Sequence, residues 1–173
     1  MEPTVTISTL IRTHECPELV IGAVQGIFPE WFPNSVPDSA TFPCGRDEIR
    51  ITGSVVSIEN MISVLRERKV LDTAMDAMAM GLEQDEAKFK LSRQSSSVGK
   101  VSFALDEMSF GGTIDVTLKG KDIGIWLEQQ TWHIGREGIP RSAKDEYAMS
   151  LDGDPAEWFD SKGRRTIGSD DSA

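Results

Sequence analysis

The chain has 173 residues, with 28 acidic against 18 basic side chains, a formal net charge of −10 and 39% hydrophobic residues. That is long enough for one domain with a real core, or for one domain with a tail. No stretch approaches 18 consecutive apolar residues, and the opening MEPTVTIS lacks the basic and then apolar regions of a signal peptide, so the chain reads as cytoplasmic and without a membrane span. An acidic balance is a poor starting point for nucleic-acid binding. Only eight of the 18 bases are lysines, however, and a lysine-poor, acid-rich surface is also what a protein working in very concentrated salt carries. There the screening length falls to about 3 Å at 1 M, and net charge neither forbids nor drives contact with RNA. Composition leaves an ordinary acidic protein and a halophilic one side by side. Cys16 and Cys44 have no Cys or His at zinc-ligand spacing, and His14 beside Cys16 does not complete a set. Reduced thiols, no metal and no cofactor are expected.

In chain order, 4–11 alternates Val5, Ile7 and Ile11 with Thr4, Thr6 and Ser8, the period of a half-buried strand. Pro17 then opens a helix with Glu15 and Glu18 at its positive end, apolar at Leu19, Val20, Ala23, Val24 and Ile27 and closed by Pro29. Residues 29–45 hold four of the eight prolines and the aromatics Trp31, Phe32 and Phe42, an irregular connection tucked onto the core. The next strand is 48–55, followed by Ser57 as a helix cap. Met61, Ile62, Val64 and Leu65, then Leu71, Met75, Met78 and Leu82, give two helices or one bent one, interrupted by charges at 66–69; the methionines read as adaptable core packing.

Phe89 and Leu91 alternate with Lys88, Lys90 and Ser92, a strand with a basic outer face. A serine-rich turn follows, then Val101, Phe103 and Leu105 as a strand, Gly111-Gly112 as the turn of a hairpin, and Ile114, Val116 and Leu118 as its return. Asp122 is placed to cap a last helix carrying Ile123, Trp126 and Leu127. Periodicity fails after Trp132. Residues 133–173 therefore read as an appended acidic tail, partly ordered or disordered, docked if at all through Trp158 and Phe159, with 1–132 as the domain. The order β-α-β-α(α)-β-β-β-α predicts an α+β two-layer sandwich: one mostly antiparallel sheet of about five strands with helices on one face.

Catalytic chemistry is mostly missing. Gly99-Lys100 is followed by Val101 and a strand, which fails as a phosphate loop, and there is no HExxH, GxSxG or GxGxxG. His14 and His133 fall in different segments, and the acid pairs Asp85-Glu86 and Asp106-Glu107 sit at turns as solvated charge. No catalytic residue is assigned, and the chain is read as a non-enzyme. The electrostatic exception is 88–105, with Lys88, Lys90, Arg93 and Lys100 and no acid. Arg, Gln and Ser donors in a turn suit phosphate and ribose contacts, and a solvated loop is the plainer alternative.

Three segments, ERKVLDTAMDAM (67–78), FKLSRQSSSVGKVSF (89–103) and IDVTLKGKDIGIWL (114–127), resemble an uncharacterised archaeal family proposed to bind RNA and to accompany the exosome. That family carries a Leu-Asp-Thr-Ala helix, a Leu-Asn-Lys-Gln turn and a Gly-Arg/Lys-Val strand start. Here these stand as Leu71 to Ala74, Leu91 to Gln94 and Gly99 to Val101, and Thr13 to Glu18 matches the family's acidic-Pro-Glu helix start. The likeness spans about residues 3–132. It departs where Met75 replaces a basic residue and Ser92 an Asn. The resemblance implies a fold similar to the large-subunit ribosomal protein that binds 5S RNA, and, with the composition, a salt-loving archaeal source. RNA binding is implied by analogy of fold only.

The expected function is thus non-catalytic contact with structured RNA, alone or in an RNA-processing complex. The expected contacts are Lys88, Lys90, Arg93, Gln94 and Lys100, with Arg66, Arg68 and Lys69 as flanks; Arg93 and Lys100 are expected at exposed strand ends. The alternative is a protein-interaction module, a homodimer among its forms, and neither reading involves a membrane.

Overall fold

A computed structural model describes residues 2–37, 47–105 and 111–149, together with two short strands at 158–159 and 165–167. The expectations for Phe42, Cys44, Asp106 and Glu107 lie outside the described residues. The elements are β1 (Thr4–Ile11), α1 (Pro17–Gln25), β2 (Ile49–Val55), α2 (Glu59–Glu67), α3 (Leu71–Ala79), β3 (Leu82–Glu83), β4 (Glu86–Ser92), α4 (Arg93–Ser97), β5 (Thr113–Lys119), α5 (Ile123–Gln130), a 3-10 turn (Ile134–Glu137), β6 (Trp158–Phe159) and β7 (Arg165–Ile167). Five strands form one open sheet in the order β2-β1-β5-β4-β3, antiparallel throughout. β6 and β7 pair with each other.

The predicted period of two is what builds the sheet. β1 sets Val5, Ile7, Thr9 and Ile11 inward; register carries the same face to Ile51 on β2 and to Ile114, Val116 and Leu118 on β5. β4 continues it with Ala87, Phe89 and Leu91. Against this face pack Val20, Val24 and Ile27 from α1 and its exit, Met61, Ile62 and Leu65 from α2, Leu71, Ala74 and Met78 from α3, and Ile123, Trp126 and Leu127 from α5, in one cluster. The result is the α+β two-layer arrangement expected. Met75 and Met78 are fully buried, as packing rather than as a ligand groove. Trp31 is also fully buried and donates its indole N–H to the Ile7 carbonyl at 3.1 Å, which fixes the start of the connection after α1 onto the sheet. Ser57 Oγ accepts from Glu59 N at 3.0 Å at the start of α2. No helix among the described residues is long and apolar enough to cross a membrane.

Five expectations change. The 101–105 stretch is not a full strand: Phe103 makes a single bridge to Leu91, with Ser92 N on Ser102 O and Ala104 N on Lys90 O. It therefore lies on the outer edge of β4, while β5 fills the slot between β4 and β1, so Gly111-Gly112 does not join a hairpin. The fifth strand is Leu82–Glu83, which turns back on β4 through Gln84 at φ 50°. Asp122 starts α5 in the left-handed region (φ 58°) and makes no capping bond with its side chain. The serine-rich turn is the short helix α4, capped by Ser92 Oγ accepting from Ser95 N.

Loss of periodicity after Trp132 does not mean loss of packing. Arg136, almost fully buried, donates to Asp72 Oδ1 (2.9 Å), the Glu128 carbonyl (2.8 Å) and Thr131 Oγ1 (2.9 Å). Arg141 reaches Asp76 Oδ1 at 2.6 Å and Asp145 Oδ2 at 2.8 Å. Two buried guanidinium groups thus clamp 133–147 to α3 and α5. Burial opposes charge on Asp72, but hydrogen bonds from Arg136 and His133 outweigh it and hold the carboxyl below its ordinary value. Burial likewise opposes Asp145, and bonds from Arg141 and the Ser142 amide prevail. Asp76, the most deeply placed of the three, is pushed up by burial, which Arg141 only partly offsets. Facing two carboxylates, Arg141 itself is held above its ordinary range despite burial.

Two outcomes follow. A chain ending at Trp132 should melt on the order of 5–10 °C below one ending at Met149, because it loses both clamps, at about 2–4 °C per kcal/mol for a chain of this size. Equal midpoints in a thermal melt would show that the arginine clamps contribute nothing. Second, Asp72 and Asp145 have lowered folded values, so their contribution is present above the unfolded value, near 3.8, and is lost as pH falls through the folded values. Asp76, raised, acts in the opposite sense. Acid titration of stability should therefore weaken below about pH 4, less so in Asp72→Asn.

Candidate nucleic-acid interface

The eight basic and amide residues picked from the sequence separate into four places. Lys88 and Lys90 point outward from β4, on the sheet face opposite the core. Lys88 is well exposed and pairs with Glu86 at 2.9 Å; that bond holds Lys88 above its ordinary value and Glu86 below. Lys90 lies across the ladder from Asp115, whose carboxylate is already taken by Arg50 at 2.7 Å. Register brings two bases to this face that attention to 88–105 overlooked: Arg50 on β2 and Lys119 on β5. Both sit at alternate positions of their strands, so the period of two already marked them as outward.

Gln94 and Lys100 are exposed at the far end of β4, where α4 begins and ends. α4 is docked on α1: Ser96 Oγ donates to the Ala23 carbonyl at 2.6 Å, and Gly26 passes so near that a Cβ there would fall 1.9 Å from Ser96 O.

Arg66, Arg68 and Lys69 occupy the end of α2 and the turn into α3, in the helical layer. They do not join the lysines of β4 in one groove. Arg66 also has a structural role, since Nη1 and Nη2 donate to the Trp132 and Gln130 carbonyls at 3.0 and 3.3 Å and close the end of α5.

Arg93 is the main correction. Expected at the surface as a phosphate contact, it is only 3% exposed. Its Nη1 donates to Thr9 Oγ1 and to the Leu10 carbonyl, each at 2.8 Å, and Nη2 pairs with Glu15 Oε1 at 2.5 Å. Thr9, fully buried on the inner face of β1, donates its own hydroxyl proton to the Thr113 carbonyl at 2.8 Å. The Arg93 amide donates to the Gly112 carbonyl. Gly112 must be glycine twice over: φ is +83°, and a Cβ would stand 2.7 Å from Arg93 Nη2. Ser92 begins α4, the chain turns inward, and the guanidinium fills the space between β1, β5 and the head of α1. Enclosed on every side and with both terminal nitrogens on protein acceptors, the side chain does not stand at the surface where a phosphate contact was expected.

No family model matches the chain. Among curated proteins it is similar to a UPF0201 protein of Methanothermobacter thermautotrophicus, 29% identical over 119 residues, 69% of this chain and 83% of that one. It is also similar to a UPF0201 protein of Sulfurisphaera tokodaii, 28% identical over 142 residues, covering 79% and 91%. Among solved structures, the UPF0201 protein from Methanococcus jannaschii matches with a TM-score of 0.64 at 23% identity, over 75% of this chain and 99% of that one. A second UPF0201 structure matches at 0.58 and 24%, over 72% and 90%. At these identities the two structures speak for the fold.

Arg93→Ala should behave as a core mutation. Removing one partner of a buried charge pair costs about 3–5 kcal/mol. Chemical denaturation should show a loss of that size for Arg93→Ala and a change within about 0.5 kcal/mol for Lys100→Ala, an exposed site. Equal, small effects would return Arg93 to the surface.

Proposed function

We propose that this chain, similar to archaeal UPF0201 proteins, is a non-catalytic domain that binds structured RNA on the open face of its sheet. The observation that carries this reading is the make-up of that face. Its charged residues are four bases, Arg50, Lys88, Lys90 and Lys119, against three acids, Glu83, Glu86 and Asp115, one positive charge in excess on a chain whose total is −10. Between them stand Thr4, Thr6, Ser8, Thr52, Ser54, Thr113 and Thr117, a field of hydroxyls that can both donate and accept. None of the outward positions on these five strands is aromatic. Bases of single strands are held chiefly by stacking, whereas a duplex is held through phosphates and 2′-hydroxyls. The face supports the second mode.

On the same reading the protein works in a cytoplasm of high salt, alone on RNA or within an RNA-processing complex. Ionic contacts, that of Lys100 at the edge included, weaken there, and the hydroxyls and Gln94 supply bonds that salt screens less.

The test is a titration of an RNA hairpin at low and at molar salt, against wild type and the double variant Lys88→Ala/Lys90→Ala. The variant should bind several-fold more weakly at low salt, with a salt slope shallower by roughly two and an unchanged melting midpoint. A single strand of the same length should bind less well than the hairpin. Unaltered binding by the variant would remove the sheet face from the reading. Absence of binding at every salt would remove RNA and leave a protein-interaction module.

A further inference from the structure

A cavity of about 610 Å³ opens between the α2–α3 turn and the segment after α5. Its lining includes Arg66, Lys69, Val70, Thr73, His133 and Ile134. From this arrangement we infer that it is a nucleotide-binding pocket, separate from the sheet face and independent of the RNA reading made there: a phosphate monoester at Arg66 and Lys69, and a base against His133 and its apolar neighbours.

The wall carries positive charge. Among the described residues neither Arg66 nor Lys69 pairs with a carboxylate. The two carbonyl acceptors that Arg66 serves hold its guanidinium in place and leave three of its five N–H groups. The one acid on the wall, Asp72, is already met by Arg136 at 2.9 Å and His133 at 3.0 Å. The cavity is therefore cationic in a strongly acidic protein, and Thr73 adds a hydroxyl.

The imidazole of His133 is held at its edge. His133 Nδ1 accepts from the Gly135 amide at 3.2 Å, and Nε2 donates to Asp72. Both nitrogens are committed at the ring's edge, which holds the ring still and leaves its face for stacking. Val70 and Ile134 are exposed apolar side chains on the same wall. A cavity in the size range of small-molecule sites, with cations and a fixed aromatic ring over apolar surface, matches a phosphate joined to a flat base.

Calorimetric titration of the full chain should use adenosine monophosphate, adenosine and inorganic phosphate. Lys69→Asn is the variant of choice, because Lys69 sits at φ 57° and Asn tolerates that conformation while removing the charge. The monophosphate should bind about tenfold more tightly than adenosine and about tenfold more tightly than to Lys69→Asn, one charge-assisted bond in each case. Melting of Lys69→Asn should match wild type, and Lys88→Ala/Lys90→Ala should bind the monophosphate normally. Equal binding of monophosphate and adenosine, no loss in Lys69→Asn, or no heat at millimolar ligand would each overturn the pocket. Two short RNAs, 5′-phosphorylated and 5′-hydroxyl, distinguish the source. Tighter binding of the phosphorylated one assigns the pocket to an RNA end, and equal binding with the monophosphate response intact assigns it to a free nucleotide.

Discussion

A guanidinium enclosed by protein sets most of the geometry on one end of this fold. Arg93 reaches Glu15 at the head of α1, Thr9 and Leu10 on β1, and through its backbone Gly112 at the entry to β5. A buried ion pair is weak evidence of net stability, since desolvation offsets much of the attraction. Its effect is positional. With partners on three segments, the residue admits only one relative placement of β1, α1 and the β5 entry. Ser92 and Ser96 then fix α4 at its own ends, one as a cap and the other on Ala23. The other end of the molecule is organised the same way, by Arg136 and Arg141 on Asp72 and Asp76. The apolar layer between these two polar clamps supplies the drive for folding, and the clamps supply direction.

The two faces of the sheet divide the labour. Inward positions carry Val, Ile, Leu and Phe into a common cluster with the helices, and outward positions carry hydroxyls and opposed charges. Several of the outward charges neutralise each other: Arg50 with Asp115, and Lys88 and Lys119 with Glu86. The surface is therefore one of short-range donors and acceptors more than of long-range field.

Much of this was legible from the residues because one face of each strand is buried and one is not. Alternation alone located β1, β2, β4 and β5, and apolar spacing located α1, α2, α3 and α5, the charges at 66–69 marking the break between α2 and α3. What stayed hidden was carried by pairs remote in sequence. Arg93 looks solvated among serines because its partner, Glu15, is 78 positions away and leaves no local trace. The same holds for 133–147, which docks through arginines rather than through a periodic apolar face, so its texture resembles a tail. Residues 101–105 alternate as a strand should, yet pairing on the edge of β4 gives them one bridge. Of the expected RNA contacts, strand period placed Lys88 and Lys90 correctly on an outer face. It could not show that Arg66 would be drawn to the end of α5, because that meeting depends on how two helices stack.

The close fit of Gly112 against Arg93 constrains how such a sequence can drift. The backbone at 112 excludes side chains by its angle, and the neighbouring guanidinium excludes them by volume. A shorter residue at 93 would vacate the volume but keep the angle, and would deprive the Glu15 carboxylate and the Thr9 hydroxyl of their shared donor. Change at 93 therefore takes one donor from Glu15, which keeps the Arg12 amide, and change at 112 still meets the angle once the volume is free. These positions form an epistatic set, in which the order of replacement matters as much as the replacements. Two chains of this fold could differ at all of them and still share every strand, having crossed by a path that few single steps allow.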